Sequence, residues 1–246
     1  MKNIKNWTPT KFDLKKGILK ASKRSNHLSL SSRIFANSIA NFYTNNIPQF
    51  IKGRIVDLGC GKVPFYGFYK DYITENICID WDNNEIENPF LDLKQDLNLK
   101  LNFEDNEFDS IILSDVLEHI RKPDLLMGEM YRILKPQGTV IFNVPFFYWI
   151  HEEPYDYYRY TEYALKLMAE DAGFTVVKIE TLGGIPEVLG DLLSKIIVRL
   201  PLIGLSLTKI IQLMILSFLK TKTGQIISKK SAKKFPIGYG IILKKE

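Results

Sequence analysis

The chain has 246 residues, of which 46% are hydrophobic and 25% charged, and its net charge is +5 at pH 7. This length and composition predict one globular domain and exclude a disordered chain, collagen and a coiled coil. Two cysteines, Cys60 and Cys78, are by themselves too few for a disulfide framework or a zinc cluster, so we expect a reduced, cytoplasmic protein. No apolar segment follows the basic N-terminus, so we expect no secretory signal.

The charge is distributed unevenly along the chain. Residues 1–24 and residues 220–246 each contain eight basic residues and one acidic residue, a net charge of +7 at each end, and the middle carries −9. The sequence therefore predicts an acidic body with a basic arm at each end.

Between the basic ends, apolar runs of strand length alternate with helical patterns, and this alternation is typical of an α/β domain with a largely parallel sheet. A helix predicted over 30–51 precedes the first strand of that sheet. The predicted strands cover 54–58, 76–80, 109–114, 138–144, 174–180 and 237–243. Two further helices are predicted over 123–134 and over 162–172, where Thr161 is the N-cap.

Residues 184–219 have a different pattern, with apolar side chains at steps of three and four residues. This spacing predicts two helices with a break near Pro201 and Gly204. The uncharged stretches between the basic residues from Arg199 to Lys220 are only nine and ten residues long. A membrane-crossing helix needs about 18 apolar residues, so we expect none here.

Two interpretations of the helical insertion over 184–234 remain open. Its helices can cover the sheet or a substrate cleft, as apolar helix faces do in most globular proteins. Alternatively, together with the lysine-rich tail at 220–234, they form an interfacial patch that contacts the inner face of a membrane peripherally.

A glycine turn follows the first predicted strand, with Asp57 two positions before Gly59 and with Gly61 two positions after it. Glycines let a ligand approach the backbone, and open α/β sheets bind ligands at the carboxyl ends of their strands. Asp80 ends the next strand, where a carboxylate can accept hydrogen bonds from both hydroxyls of a ribose. The combination predicts a site for a nucleoside-bearing ligand.

The details of this turn favour one such ligand. A dinucleotide site requires a third small residue, but Pro64 stands at that position. Asp57 would repel a phosphate and suits a ligand with an ammonium group. S-adenosylmethionine has an ammonium group, a ribose and no phosphate, so it fits this sequence best.

Three motifs resemble those of the class I S-adenosylmethionine-dependent methyltransferases, and the resemblance covers about residues 50–182 and the last strand. They are VDLGCG at 56–61, FDSIILSDVLEHI at 108–120 and ILKPQGTVIFNVP at 133–145. The resemblance implies a Rossmann-like, seven-stranded, mostly parallel sheet with helices on both faces and an antiparallel last strand. Here a helical insertion precedes that strand.

This likeness divides the chain into three parts. Residues 1–29 form the basic N-terminal arm, residues 30–183 with 235–246 form the methyltransferase domain, and residues 184–234 form the helical insertion with its lysine-rich tail.

The resemblance also implies which residues bind the cofactor. They are Asp57, Gly59 and Gly61 around the methionine part, Asp80 at the ribose hydroxyls, Asp96 and Leu97 at the adenine, and Ser114 near the methionine end. Val63 stands where many members of the family have a third glycine.

The segment HEEPYDYYRYT at 151–161 resembles a pattern in a methyltransferase subgroup often associated with surface-glycan and lipid-linked sugar pathways. Methyl transfer is an in-line displacement, so the enzyme aligns a nucleophile and removes its proton. His151 is the candidate base because its ordinary pKa lies near working pH. Asp156 could orient it or bind a sugar hydroxyl, and Arg159 could hold a substrate carboxylate or phosphate.

The same segment contains aromatic side chains whose faces suit a sugar or a cation, namely Tyr155, Tyr157, Tyr158 and Tyr160. A structural interpretation stands beside this one. In it, Arg159 pairs locally with Glu152 or Glu153, and the tyrosines cover the edge of the sheet.

His119 is interpreted as a residue at a helix start that packs against the cofactor loop, in preference to a base. The sequence shows no metal-ligand spacing, so no metal is expected.

These patterns predict a cytoplasmic S-adenosylmethionine-dependent methyltransferase with a small or lipid-linked carbohydrate acceptor. Peripheral contact with the membrane through 184–234 remains one of the two interpretations of the insertion. Two alternatives stand beside this function: an RNA methyltransferase, suggested by the basic ends, and a non-catalytic membrane- or partner-binding protein on the same fold. A nucleic-acid substrate is less well supported than a carbohydrate, because the lysines are confined to the ends of the chain and no RNA-binding module is recognisable. The oligomeric state does not follow from the sequence.

Overall fold

The computed structural model describes residues 1–81 and 88–246. Its strands are β1 (Phe12–Lys15), β2 (Ile18–Ala21), β3 (Gly53–Leu58), β4 (Ile73–Asp80), β5 (Leu93–Lys94), β6 (Phe108–Ser114), β7 (Leu134–Pro145), β8 (Thr175–Thr181) and β9 (Gly238–Lys244). Its helices are α1 (Arg33–Phe50), α2 (Tyr66–Tyr69), α3 (Pro123–Ile133), α4 (Glu162–Asp171), α5 (Ile185–Ile197), α6 (Gly204–Phe218) and α7 (Lys222–Ser231).

The seven-stranded sheet has the strand order β5-β4-β3-β6-β7-β9-β8. Strands β3 to β7 pair in parallel, and β9 is inserted antiparallel between β7 and β8. The predicted Rossmann-like fold with an antiparallel last strand is therefore confirmed. The sequence analysis missed only β5 among these strands, because two residues are too short to produce a periodic pattern.

Helices cover both faces of the sheet because each presents one apolar stripe to it. On one face, α1 buries Ile39 and Tyr43 completely against the sheet. On the other face, α3 buries Met130 and α4 buries Leu165. Burying such a side chain contributes roughly 1.5–3 kcal/mol, so these stripes hold the helices on the two faces of the sheet.

The N-terminal arm is folded onto the domain. Its strands β1 and β2 form an antiparallel hairpin that contacts α1. Phe12 stacks on Phe65 with ring centroids 4.8 Å apart, and the indole of Trp7 donates a hydrogen bond of 3.1 Å to the carbonyl of Val63. No element was predicted before residue 30, because a four-residue hairpin strand carries too little periodicity to be recognised.

The helical insertion consists of α5, α6 and α7. The chain breaks between α5 and α6 and α6 begins at Gly204, whereas the lysine-rich tail is itself largely the helix α7. Among the described residues, no individual helix combines the length and apolar character needed to cross a bilayer; α6 and α7, bent by 94°, reach that combination only as a pair.

Candidate active site

A cleft of about 1930 Å³ opens at the carboxyl ends of β3, β4 and β6. Small-molecule sites usually have about 300–1000 Å³, so this cleft has room for two ligands. The N-terminal arm forms part of its wall through Thr10, Lys11 and His27. Lys11 also pairs with Asp115, with 2.6 Å between Nζ and Oδ2.

The glycine turn after β3 has backbone torsion angles that residues other than glycine rarely adopt. Gly59 and Gly61 have φ angles of +68° and +48°, in the left-handed region. A Cβ on Gly59 would lie 2.4 Å from a methyl of Val116, whereas a Cβ on Gly61 would meet nothing within 4 Å. Gly59 is therefore required by packing, and Gly61 leaves the backbone open to the cleft.

Val63, which stands where the related motif has a third glycine, also adopts a positive φ of 50°. This region is strained for a β-branched residue. The side chain of Val63 is fully buried, and its carbonyl accepts the hydrogen bond from Trp7. The turn thus keeps the glycine-like path, with the N-terminal arm packed against it.

Asp80 is fixed beside this turn by backbone donors. The N–H of Gly61 donates to Oδ2 and the N–H of Trp81 donates to Oδ1, each over 2.9 Å. Burial raises the pKa of Asp80, and the two backbone hydrogen bonds oppose that rise. Each oxygen has a further lone pair, so a carboxylate on the cleft wall can still accept two ribose hydroxyls.

Asp57 does not face the cleft as the resemblance implies. It is 3% exposed, is not among the described residues that line the cleft, and lies 3.5 Å from the hydroxyl of Tyr69. Burial and, second, the charge of Asp80 raise the pKa of Asp57 to about 8. Asp57 therefore supports the turn from behind.

The remaining candidate cofactor residues lie on the cleft wall. Asp96 accepts two hydrogen bonds of 2.8 Å from Asn98, which fix its carboxylate, and Leu97 is nearly buried next to it. The hydroxyl of Ser114 donates to the side chain of Asn143 over 2.8 Å. Gly59, Gly61, Asp80, Asp96, Leu97 and Ser114 thus line the same cleft, and we call the part of its wall that they form the cofactor end.

A carboxylate and two imidazoles meet where the segment after β7 reaches the cleft. We call this part of the wall, which contains His119, Glu152 and Tyr155, the acceptor end. Oε1 of Glu118 lies 3.7 Å from Nε2 of His119 and 3.7 Å from Nε2 of His151. Glu118 is fully buried, and among the described residues neither of its carboxylate oxygens has a hydrogen-bond donor. Burial raises the pKa of Glu118, and the neighbouring His151 opposes this. We call these three residues the Glu-His-His cluster.

His151 is held from behind by Asp156 and Arg159. Nδ1 of His151 lies 3.1 Å from Oδ2 of Asp156, and the backbone N–H of His151 donates to the same oxygen over 3.0 Å. Arg159 donates to both oxygens of Asp156, over 2.5 and 2.7 Å. Partial burial would raise the pKa of Asp156, but Arg159 and His151 hold it down at about 2.

Arg159 is therefore engaged inside the protein. It binds neither Glu152 nor Glu153, and its guanidinium is paired with Asp156 and with the carbonyl of Trp149. The sequence expectation that Arg159 holds a substrate anion does not fit this arrangement. Burial alone would lower the pKa of His151, but the carboxylates of Glu118 and Asp156 raise it overall.

Only part of the tyrosine set faces the cleft. Tyr155 and Tyr157 line it, and Tyr155 lies edge-on to Trp81 with ring centroids 4.8 Å apart. Tyr160 is buried and donates to the carbonyl of Leu117 over 3.2 Å. The N–H groups of Tyr157 and Tyr158 both donate to the backbone carbonyl of Glu118, which ties this part of the segment to the 3₁₀ turn after β6.

The sequence analysis did not identify Glu118 or Trp81 as site residues. It also did not predict that Lys11 lines the cleft. Glu118 lies next to His119 in the motif, but one acidic residue carries no signal of burial. Trp81 directly follows Asp80, so an aromatic residue beside the ribose carboxylate was the available signal.

The comparisons with known proteins agree with the methyltransferase fold. A family model described as a methyltransferase domain matches residues 32–179. No curated protein matches the chain significantly.

Three solved structures have a similar fold. A SAM-dependent methyltransferase from Archaeoglobus fulgidus is 22% identical with a TM-score of 0.55, covering 82% of this chain and 91% of that one. The [4+2]-cyclase SpnF is 15% identical with a TM-score of 0.55, covering 87% and 82%. Phosphoethanolamine N-methyltransferase 2 of Haemonchus contortus, in complex with S-adenosyl-L-methionine, is 17% identical with a TM-score of 0.53, covering 90% and 57%. At these identities the likeness shows the fold.

Proposed function

The chain belongs to the methyltransferase-domain family and is an S-adenosylmethionine-dependent methyltransferase, and from this premise we propose that it methylates a hydroxyl group of a small or lipid-linked carbohydrate. When bound, S-adenosylmethionine supplies an electrophilic methyl group on its sulfonium. The cofactor end fits this molecule, because Asp80 is preset to accept ribose hydroxyls and the Gly61 backbone is open to the cleft.

The observation that carries the proposal is the composition of the acceptor end. Exposed rings of Trp81, Tyr155 and Tyr157 line the cleft between this end and the cofactor end, with Tyr155 edge-on to Trp81, which follows Asp80. Aromatic faces of this kind pack against the apolar faces of sugar rings, and their polar edges leave room for hydroxyls. The Glu-His-His cluster lies beside these rings, since the Nδ1–H of His119 donates to the carbonyl of Tyr155 over 3.0 Å.

The cluster supplies a proton acceptor for the hydroxyl. His119 is the member of the cluster that lines the cleft, and His151 lies behind it with Nε2 toward Glu118. With no ion in the cluster, the proton passes to His119 as the methyl group is transferred and is shared with Glu118 and His151. Asp156 and Arg159 are positioning residues, because they hold the ring of His151 and contact no part of the cleft themselves. A proton leaving a sugar hydroxyl must be removed at a fixed geometry, which this support provides.

The surface of the helical insertion supports a lipid-linked acceptor and a peripheral membrane location. Around the break between α5 and α6, large apolar side chains face outward: Ile196, Leu200, Leu202, Ile203, Leu205 and Ile210 are all exposed. The sequence contains no Asp or Glu from 192 to 245. An anionic bilayer attracts each nearby lysine by about 1 kcal/mol, so apolar insertion and charge act together.

Methyl-transfer assays on paired acceptors test the acceptor class. Tritiated S-adenosylmethionine is supplied with a polyprenyl-linked saccharide, with the same saccharide released by mild acid, and with total RNA. We expect label in the saccharides, with the lipid-linked form preferred when vesicles are present. Label in RNA alone, or in none of the three while the cofactor still binds, contradicts the proposal.

Flotation with vesicles tests the location separately. We expect binding to vesicles that contain phosphatidylglycerol, and weaker binding after Leu202→Asp with Ile203→Asp, because these substitutions place charge where the bilayer interior would be. The matched control is Lys15→Glu with Lys16→Glu in the exposed turn of the arm hairpin, which should still float. Equal flotation of all three proteins, or flotation of none, contradicts the peripheral location.

A further inference from the structure

The Glu-His-His cluster has distances that suit a shared ion better than direct hydrogen bonds. Oε1 of Glu118 lies 3.7 Å from each Nε2, beyond the range of about 2.7–3.2 Å for a hydrogen bond. One ligand atom from each of the three residues lies within 4.8 Å of the others. Two ligands at about 2.1 Å from one ion lie about 3.4 Å apart at tetrahedral geometry. The two distances from Glu118 to the imidazoles exceed this value by a few tenths of an ångström, and the largest separation in the set, up to 4.8 Å, would shorten by about 1.4 Å when all three residues bind one ion.

The outer nitrogen of each ring faces an oxygen acceptor. Nδ1 of His119 must carry its proton, because the partner at 3.0 Å is the carbonyl of Tyr155. Nδ1 of His151 faces the carboxylate of Asp156, itself held by Arg159. The hydrogen bond to Tyr155 places the ring proton of His119 on Nδ1. Nδ1 of His151 makes no hydrogen bond with Asp156 at its 3.1 Å distance, but the negative charge there favours the same tautomer, which leaves the Nε2 lone pair of each ring for a metal. Both lone pairs then point toward Glu118.

With both rings neutral, Glu118 has no positive partner, whereas a protonated His151 would supply one 3.7 Å away. The carboxylate of Glu118 is fully buried, and among residues 1–81 and 88–246 neither of its oxygens receives a hydrogen bond. An unpaired buried carboxylate costs several kcal/mol, and a divalent cation between it and two imidazoles would remove that cost.

We propose that Glu118, His119 and His151 bind one divalent transition-metal cation through a carboxylate oxygen and two Nε2 atoms. Two imidazoles and one carboxylate suit Zn²⁺, Fe²⁺ or Co²⁺, whereas Mg²⁺ and Ca²⁺ prefer oxygen ligands alone. The sequence does not predict this ligand set, because His151 is 32 positions away from His119.

The role of the ion rests on the proposed function. Three protein ligands leave coordination positions free, and His119 and Glu152 at the cluster both line the cleft. An acceptor hydroxyl bound there would have a lower pKa, so it would lose its proton without direct abstraction by His119, whose Nε2 is then a ligand.

The first experiment measures ion binding in the full-length protein after treatment with a chelator. Zn²⁺ and Co²⁺ are titrated by calorimetry, with Mg²⁺ for comparison, and the visible absorption of Co²⁺ reports its coordination. We expect one Zn²⁺ or Co²⁺ per chain and much weaker Mg²⁺. No stoichiometric binding, or Mg²⁺ binding as tight as Zn²⁺, overturns the proposal.

Variants locate the ion. The chain has three histidines, and His27 lines the cleft outside the cluster, so His27→Ala is the matched control. We expect His119→Ala, His151→Ala and Glu118→Gln each to weaken Zn²⁺ binding roughly 100-fold or more, and His27→Ala to leave it unchanged. S-adenosylmethionine binding at Asp80 reports whether each variant is folded. Unchanged Zn²⁺ affinity in the folded cluster variants overturns the proposal.

A measurement on the unmodified protein covers the case in which the variants do not fold. X-ray absorption at the zinc edge of the Zn²⁺-loaded chain should show two imidazole ligands, and fewer than two overturns the proposal. None of these measurements needs an acceptor. Ion binding without saccharide methylation therefore contradicts only the proposed function, and saccharide methylation by a protein that binds no ion contradicts only the metal site.

Discussion

The cofactor end and the acceptor end of the cleft are held together by different kinds of contact. At the cofactor end, Asp80 is fixed by backbone N–H groups of Gly61 and Trp81. At the acceptor end, His151 is fixed mainly by side chains, with Asp156 next to it and Arg159 behind. Backbone donors remain in place when side chains are substituted. A residue that is held by a series of side chains loses its position when any one of them is removed. The cofactor end should therefore be sensitive at few positions and the acceptor end at many.

The largest expected effect is that of Asp80→Ala on cofactor affinity. Two hydrogen bonds from ribose hydroxyls to a carboxylate contribute about 1.5–3 kcal/mol each, so the affinity should fall roughly 10²- to 10⁴-fold. Calorimetry with S-adenosylhomocysteine measures it. Asp71→Ala, an exposed carboxylate before β4, is the control that should bind normally. If Asp80→Ala binds as well as that control, the ribose assignment is wrong.

The two glycines of the turn separate packing from ligand access. Gly59→Ala meets Val116 at 2.4 Å as well as the left-handed backbone, whereas Gly61→Ala meets only the backbone strain. We expect losses in the free energy of unfolding of about 2–4 kcal/mol for Gly59→Ala and about 1–2 kcal/mol for Gly61→Ala. Urea denaturation measures both. Equal losses would show that Val116 gives way and that the turn is not packed as described.

The substitution Arg159→Met tests the acceptor end, because it changes the support of His151 and leaves the residues of the cofactor end unchanged. Removing the guanidinium frees Asp156 and with it the ring of His151, so kcat should fall roughly 10- to 100-fold while the cofactor Kd is unchanged. Arg159→Lys should restore part of the rate, because an ammonium can still pair with one oxygen. Steady-state kinetics and calorimetry give the two values.

A matched pair elsewhere in the fold provides the control for this prediction. Arg132 donates to both oxygens of Glu129 at the same three-residue spacing, and neither residue is among the described residues that line the cleft. Arg132→Met should lower stability and leave kcat unchanged. If Arg159→Met behaves like Arg132→Met, the Asp156–Arg159 pair is structural only.

The sequence was informative where a function depends on neighbouring residues. The strand and helix periods predicted six strands of the sheet, and the turn with its glycines and Asp80 was recognisable as a nucleoside site. Asp57 was misplaced because strand alternation does not say whether a carboxylate faces the cleft or Tyr69. Arg159 was misassigned because its partner Asp156 is three residues away and equally compatible with a solvent-facing pair.

The sequence alone thus determined the sheet, its helices and the glycine turn at the cofactor end. The periodicity of apolar residues and the turn-forming glycines specify these elements within a few residues. Folding alone brought Glu118, His119 and His151 to one point and placed Lys11 of the arm beside Asp115. Those contacts join segments 32 to 104 residues apart, and distances of that kind depend on how β6, the loop after β7 and the hairpin pack together. No local pattern carries that information, which is why the chemistry of the acceptor end becomes visible only in three dimensions.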